Sequence, residues 1–97
     1  MKTQSILILD SAGTFAENKD VAKEIRVKKI MPALKNEAEI LLDFSGVTGA
    51  TQSFIHALIS DAIRQYGDSA FELISFKDCS PVIKELITAV TEYMQES

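Results

Sequence analysis

The residues best suited to nucleophilic chemistry are the single histidine, His56, and the single cysteine, Cys79. A cysteine nucleophile needs a base within hydrogen-bond reach and a third group that orients the base. The two residues are 23 positions apart, and each lies near the start of a predicted helix. His56 falls beside the apolar stripe of its helix, so we expect it to face solvent and expect no catalytic pair.

Cys79 has two interpretations. It precedes a predicted helix, and a helix N-terminus is a setting that lowers the pKa of a thiol. The alternative is a small side chain that packs against the core. No two metal ligands have a recognisable spacing, and no nucleophile, base and orienting group form a set. We therefore predict no catalytic residues, no metal site, no cofactor and no enzymatic activity.

Residues 40–59 place a carboxylate at the end of an apolar strand, before a loop with two glycines and an amphipathic helix. Asp43 ends that strand at the edge where open α/β sheets bind ligands. Gly46 and Gly49 lack the lysine and the third glycine of nucleotide-binding loops, so we interpret them as turn residues. Asp43 either lines a ligand pocket or accepts hydrogen bonds from the loop amides of residues 45–47.

Three strands are predicted around this stretch. They are rich in apolar and β-branched residues and span residues 5–11, 39–45 and 70–76. In the central strand Ile40, Leu41 and Leu42 follow one another without alternation. Such a run is typical of a strand that is covered on both faces.

Two of the three predicted helices have clear ends. The helix Gln52–Tyr66 carries one apolar face, and Gly67 follows it as a C-terminal cap. The last helix begins with Ser80 as its N-cap and Pro81 at its first position. Its predicted inner stripe comprises Val82, Ile83, Leu86, Ile87, Val90, Tyr93 and Met94.

The first helix carries apolar residues on two nearly opposite sides. One group is Phe15, Val21, Ala22 and Ile25, and the other is Val27, Ile30, Met31 and Leu34. Pro32 cannot bond to the carbonyl of Lys28, and it disfavours helical backbone in the residue before it. We therefore expect the helix to break or kink between Lys29 and Pro32. Its N-cap is left open between Thr14 and Asn18.

The order of elements is β-α-β-α-β-α with short connections. This order predicts an α/β fold with a small mixed or parallel sheet of three to four strands and about three helices. With only three clear strands, we expect the helices mainly on one face. A length of 97 residues fits a single domain, residues 1–97.

Charge is unevenly distributed along the chain. Residues 18–36 contain six basic and two acidic residues, a net charge of +4, so the rest carries −8 of the total of −4. This segment is either a solvated helix face or a docking face for an acidic partner, represented by Lys23 and Lys28. The negative total argues against direct binding of nucleic acid.

Composition also bears on location. One cysteine excludes an internal disulfide, and no apolar run approaches the length of a membrane span. The first residues lack the apolar segment of a secretion signal. We therefore expect a cytoplasmic protein without a membrane partner.

The motif Asp43-Phe44-Ser45-Gly46-Val47, followed by an amphipathic helix, resembles the central motif of the STAS domain. That is the fold of anti-sigma-factor antagonists and of sulfate-transporter tails. The chain is more similar to a bacterial STAS-like branch of uncharacterised function, which carries Gln-Ser-Phe where this chain has Gln52-Ser53-Phe54. That branch also often has NKDVA and a later PAL, as at residues 18–22 and 32–34.

The resemblance implies a STAS-like fold and a regulatory protein-interaction domain that docks onto an ATPase or kinase of the GHKL type. In STAS domains such a kinase phosphorylates the first serine of a Ser-Ser pair. Gln52 occupies that position here and has no hydroxyl. Ser53 and Thr51 are thus the candidate phosphorylation sites. Alternatively Thr51 is a plain N-cap, Gln52 a first-turn residue, and Ser53 a small residue under the loop.

We expect the partner to contact one surface around the glycine loop and the helix start. The predicted contacts are Asp43, Gly49, Thr51, Gln52, Ser53 and Phe54. Phe54 is either an exposed hot spot or packs under the loop. Two further functional classes stay open: a small-ligand-binding domain that uses Asp43, and a module that self-associates through the edge of strand 5–11 or around Phe54. The oligomeric state is also left open.

Overall fold

The computed structural model describes residues 3–96 of the chain, in which five strands form two parallel sheets. In chain order the strands are β1 (Thr3–Leu7), β2 (Phe15–Ala16), β3 (Glu39–Asp43), β4 (Gly49–Ala50) and β5 (Ile74–Lys77). The main sheet has the order β1-β3-β5, and β2 pairs with β4 in a small second sheet. The predicted α/β fold is confirmed in outline, but the main sheet is parallel throughout and the β2–β4 pair was not predicted.

Five helices connect these strands within the described residues. They are α1 (Ile8–Ala12), α2, α3 (Gln52–Tyr66), α4 (Asp68–Leu73) and α5 (Pro81–Glu96). Helix α2 comprises three continuous segments, Lys19–Ile25, a π-helical turn Arg26–Ile30, and Met31–Lys35. Across residues 3–96, no helix is at once long enough and apolar enough to cross a bilayer.

Only one face of the main sheet is covered. Ile6 and Leu42 are neighbours in the register and are buried in the core. In the adjacent row Ser5 and Ser75 are exposed on either side of Leu41, which is half-buried. Since alternate residues of a strand point to opposite faces, the helices lie on one face, as expected. The prediction that the central strand is covered on both faces is wrong.

Two predicted strands have different ends in the structure. β1 ends at Leu7, and Ile8–Ala12 forms the short helix α1. Similarly, Asp68–Leu73 forms α4, so β5 begins only at Ile74. Ile8 and Ala70 are fully buried although both lie in helices. A short apolar run indicates that its residues are buried, but by itself it does not distinguish a strand from a buried helical turn.

Helix α2 does not break before its proline. Ile25 and Ile30 are five residues apart and both are buried. In a regular α-helix the residue on the same face one turn after Ile25 would be Lys29, but Lys29 is exposed. The π-helical turn supplies the missing position, because the N–H of Met31 donates to the carbonyl of Arg26, five residues earlier. The extra residue places Ile30 and Leu34 of the second apolar group on the buried side with Ile25.

The predicted break between Lys29 and Pro32 is therefore wrong. Pro32 lies in the first turn of the closing α-helical segment, where the absence of its N–H is tolerated. The N-cap of α2 is Asn18, whose side-chain oxygen accepts the N–H of Asp20 at 2.9 Å. Phe15 belongs to β2 rather than to this helix.

The ends of the other two long helices are as predicted. Gly67 has a positive φ of 54° and donates its N–H to the carbonyl of Ile63 at the end of α3. At the start of α5, Ser80 Oγ accepts the N–H of Ile83 at 3.4 Å. The predicted stripe of α5 is too wide, because Val82 and Tyr93 are exposed.

The π-helical turn predicts opposite outcomes for two apolar residues of α2. Ile30→Ala should lower the free energy of unfolding by about 2–5 kcal/mol, because Ile30 is 0% exposed and its loss leaves a cavity. Val27→Ala should change it by less than about 0.5 kcal/mol, because Val27 is 52% exposed. Urea unfolding followed by circular dichroism measures both. A larger loss for Val27→Ala would contradict the register.

Candidate functional site

The first turn of α3 presents two polar side chains to solvent from a fixed base. Thr51 is the N-cap, and its Oγ1 accepts the N–H of Phe54 at 3.1 Å. Gln52 and Ser53 are exposed, whereas Phe54 is fully buried. The interpretation of Thr51 as a plain N-cap is thus confirmed, and Phe54 is buried, as its packing interpretation expected. The interpretations of Phe54 as an exposed hot spot and of Ser53 as a residue under the loop are wrong.

Phe54 is buried because α3 is covered from more than one side. The helix packs against both α2 and α5 and also contributes to the core below the sheet. Phe54 and Leu58 are four residues apart and both are fully buried, and so is Ile55. A residue that lies off a narrow apolar stripe can therefore still be buried. The helix reaches solvent at its two ends, through Gln52 and Ser53 in the first turn and Arg64 and Gln65 in the last.

An open groove of about 490 Å³ runs beside this turn. We call it the α3 groove, and its lining residues are Lys19 from α2, Gln52, Ser53, His56 and Ala57 from α3, and Tyr93 from α5. His56 is half-buried rather than fully solvent-facing. Ammonium, imidazole and phenol groups in one groove can donate hydrogen bonds to carboxylate or phosphate oxygens. Lys19, Tyr93 and His56 were not among the predicted contact residues.

Phe15 is an exposed aromatic residue that the sequence interpretation placed on a helix. Its β2 pairs with β4, and Phe15 lies opposite Gly49. A Cβ on Gly49 would come within 3.0 Å of two carbons of the Phe15 ring, so a glycine permits this close approach. Gly49 itself is buried, but it supports a ring that is 51% exposed. The sequence offers no local signal for this contact, because it joins residues 34 positions apart.

Backbone bonds hold Phe15 and the glycine loop together. Thr48 donates both its N–H and its hydroxyl to the carbonyl of Thr14, at 2.8 Å and 3.1 Å. The N–H of Thr51 donates to the carbonyl of Ala16 at 3.0 Å. The exposed ring of Phe15 and the first turn of α3 therefore belong to one braced unit.

Asp43 is engaged in the turn that follows β3. Its Oδ1 accepts the N–H of Ser45 at 2.9 Å and lies 2.5 Å from Ser45 Oγ. Ser45 Oγ also lies 2.8 Å from Asp78 Oδ2, beyond the end of β5. The side-chain and backbone hydrogen bonds from Ser45 lower the pKa of Asp43 below its ordinary value.

The interpretation of Asp43 as an acceptor for loop amides is confirmed for the N–H of Ser45, whereas the N–H of Val47 donates to the carbonyl of Phe44. Asp43 is not among the residues that line the α3 groove, so the structure does not place it with Gln52 and Ser53. Its two hydrogen bonds to Ser45 also weaken the small-ligand interpretation that used its carboxylate.

Cys79 is a partly buried packing residue. It lies against the hydrophobic core, and burial is the main cause that raises the pKa of its thiol. The interpretation of a thiol activated by the following helix is therefore wrong. Cys79 lines a different groove from His56, together with Lys84 and Ile87 among others.

In the basic segment, residues 18–36, some side chains are held by contacts within the domain and others are exposed to solvent. Arg26 donates from Nη1 to the carbonyl of Ala57 at 2.9 Å and lies 3.5 Å from Asp61, and its side chain is only 16% exposed. Lys28 is exposed but pairs with Glu24 of the same helix at 2.9 Å. Lys23 is exposed. Among the described side chains, residues 3–95, no three His, Cys, Asp or Glu residues are grouped to hold a metal ion.

Comparison with known proteins gives one family match. The family model described as "STAS-like domain of unknown function (DUF4325)" matches residues 21–84. The matched region contains β3, the glycine loop and α3, and it excludes β1 and Lys19. No curated protein and no solved structure matches the chain.

The turn at Asp43 predicts a pH dependence of stability. Because the folded pKa of Asp43 lies below its unfolded pKa of about 4, its stabilising contribution is complete above about pH 4. It is then lost as the pH falls through the lower folded value. In Asp43→Asn the free energy of unfolding should therefore fall less steeply than in the wild type as the pH is lowered below about 4.

Ser45→Ala is the matched variant, because it keeps the carboxylate and removes the hydroxyl donor. It should also make this fall less steep, but by less than Asp43→Asn does, since the Ser45 N–H remains. Urea unfolding at several pH values from about 3 to about 7 measures all three proteins. A fall as steep in Asp43→Asn as in the wild type would contradict the assignment.

Proposed function

The chain belongs to the family of STAS-like domains of unknown function, and we propose that it is a non-enzymatic regulatory domain that binds a protein partner through the first turn of α3. One observation carries the proposal. Gln52 and Ser53 are exposed at a turn whose neighbours Thr51 and Phe54 are fixed by a cap and by the core. Exposed residues on a rigid scaffold are a common basis for binding.

The engagement of the reactive side chains favours binding over catalysis. The carboxylate of Asp43 accepts two hydrogen bonds within its own turn. The hydroxyl of Thr51 caps α3, and the thiol of Cys79 is partly buried. Docking requires shape and exposed groups rather than a positioned nucleophile and base.

The partner-binding surface proposed here has a polar and an apolar part. The polar part is the α3 groove, where Lys19 and His56 accompany Gln52 and Ser53. The apolar part is Phe15, which takes the place of Phe54 as the candidate aromatic anchor. A partner that fits this surface carries acidic groups beside an apolar pocket.

The proposed partner is an ATPase or kinase of the GHKL type. This step rests on the resemblance of the motif around residues 43–54 to STAS domains, which dock onto such proteins. Lys19 and Lys23 are both exposed near the start of α2. Their positive charge supports association with an acidic partner surface, mainly through the association rate.

Phosphorylation at Ser53 is the proposed form of regulation. The Ser53 hydroxyl is exposed, whereas the Thr51 hydroxyl already accepts a backbone N–H. A phosphate on Ser53 would lie in the first turn of α3, where the helix dipole favours negative charge, and in the same groove as Lys19. It would change the charge of the docking surface without unfolding the domain.

The test begins with a pull-down from the native cell and mass spectrometry, which also reports phosphate on Ser53 or Thr51. With the captured ATPase purified, Ser53→Asp and Phe15→Ala should each weaken binding by more than about 1 kcal/mol, roughly fivefold, measured by calorimetry. Val27→Ala is the matched control, because Val27 is as exposed as Phe15 but lies in the middle of α2.

Thermal unfolding of each variant separates binding from folding. Ser53→Asp should fold normally, because a carboxylate in the first turn of a helix is favoured by a few tenths to about 1 kcal/mol. If Ser53→Asp and Phe15→Ala fold and bind like the wild type, this surface is not the docking site.

The basic face of α2 makes a separate prediction about kinetics. Lys23→Glu should slow association with the partner, and raised salt should slow association of the wild type, because surface charges steer encounter. Lys28→Glu should slow it less, because Lys28 is already paired with Glu24. Lys35→Glu, at the far end of α2, is the control. If stopped-flow association rates are unchanged by salt and by Lys23→Glu, the basic face of α2 is a solvated helix face and does not take part in docking.

A further inference from the structure

The strand β1 forms an edge of the main sheet that no other described element covers. Thr3, Gln4, Ser5 and Leu7 are exposed, and only Ile6 is buried. Among residues 3–96, β3 is the only element that runs alongside β1. The backbone groups on the outer side of β1 have no partner in another described element. Such an edge is a template for a further strand.

This edge lacks the features by which proteins usually protect exposed strands. Natural edge strands are commonly blocked by lysine, proline or a bulge. The sequence of β1, Thr-Gln-Ser-Ile-Leu, has no charged residue and no proline, and its register with β3 is unbroken. The opposite edge, β5, ends in Lys77 and is joined directly to α4. The two edges are therefore not equivalent.

We propose that β1 pairs in antiparallel fashion with β1 of a second copy of the chain, around a two-fold axis at Ser5. In this register Thr3 of each copy lies opposite Leu7 of the other, so the pairing is self-complementary. Leu7 is 48% exposed in the single chain and becomes covered. The result is a continuous sheet of six strands.

Charge opposes contact between two copies least at this edge. The chain has a net charge of −4, so contacts between most surfaces of two copies oppose like charges. β1 is uncharged, and pairing there adds no like-charge pair within the strand. No residue of β1 lines the α3 groove, so this association is independent of the proposed docking function.

The expected dimer is weak. One strand of five residues gives a contact below the roughly 1,200 Å² of a standard interface. A dissociation constant in the micromolar to millimolar range follows, about −8 to −4 kcal/mol. Size must therefore be measured up to about 1 mM protein.

The register supplies a matched pair of variants. Ser5 and Ser75 lie at the same level on the two opposite edges, with Leu41 between them, and both are exposed. Ser5→Lys places two ammonium groups next to each other at the proposed two-fold axis, whereas Ser75→Lys puts the same charge on the other edge. In sedimentation equilibrium the average mass of the wild type and of Ser75→Lys should rise above 10.7 kDa as the concentration increases, whereas Ser5→Lys should stay at 10.7 kDa.

Cysteine cross-linking checks the register. In a Cys79→Ser background, Ser5→Cys should form a disulfide-linked dimer under mild oxidation, and Ser75→Cys should form at least tenfold less. Each link joins two thiols, and the oxidant takes two electrons and two protons. Circular dichroism of all variants at low concentration confirms that they are folded.

Three results would overturn the proposal. The first is a wild type that stays monomeric up to the highest concentration. The second is dissociation by Ser75→Lys but not by Ser5→Lys, which would assign the dimer to β5. The third is a dimer that neither lysine disrupts. A loss of partner binding by the groove variants, with dimerisation unchanged, would leave both proposals standing separately.

Discussion

The burial of α3 is the constraint on which the rest of this structure depends. The helix packs against α2 and α5 and shares the core beneath the sheet, so Phe54, Ile55 and Leu58 are all fully buried. The burial of apolar side chains is the main favourable contribution to the folding free energy of a small domain. Its consequence is positional, because the exposed residues of α3 lie at its two ends, Gln52 and Ser53 in the first turn and Arg64 and Gln65 in the last.

The same constraint explains the irregular form of α2. Ile25 and Ile30 can both face α3 and the core only if the helix gains one residue between them, and the π-helical turn provides it. That turn begins at Arg26, whose side chain reaches the carbonyl of Ala57 and the carboxylate of Asp61. A charged donor to a carbonyl is a stronger tie than a neutral one. The turn therefore also joins α2 to α3.

Much of this fold could be predicted from sequence because its signals are local. Thr51 and Ser80 are capping residues at the correct positions, and Gly67 ends α3 as its type suggests. What could not be predicted depends on tertiary contact. Phe15 lies against Gly49 through two-residue strands that are too short to show a period, and Phe54 is buried by neighbours that its own helix does not reveal.

The helical register of α2 shows the same limit. A proline within an apolar pattern normally indicates a break, and the alternative, a widened turn, has no distinctive sequence. Only the shared burial of Ile25 and Ile30 distinguishes the two. The candidate site was predictable around Gln52 and Ser53, because a resemblance and a helix start coincide there. Lys19 and Tyr93 join it from distant parts of the chain.

The hydroxyl of Ser45 lies between two carboxylates, 2.5 Å from Asp43 and 2.8 Å from Asp78. It carries a single hydrogen, so at any instant it can donate to only one of them. Rotation about one C–O bond exchanges the two arrangements while every heavy atom stays in place. The connection between the ends of β3 and β5 therefore has two hydrogen-bond arrangements that share one set of heavy-atom positions, and the shorter contact, to Asp43, is the one that lowers the pKa of that carboxyl.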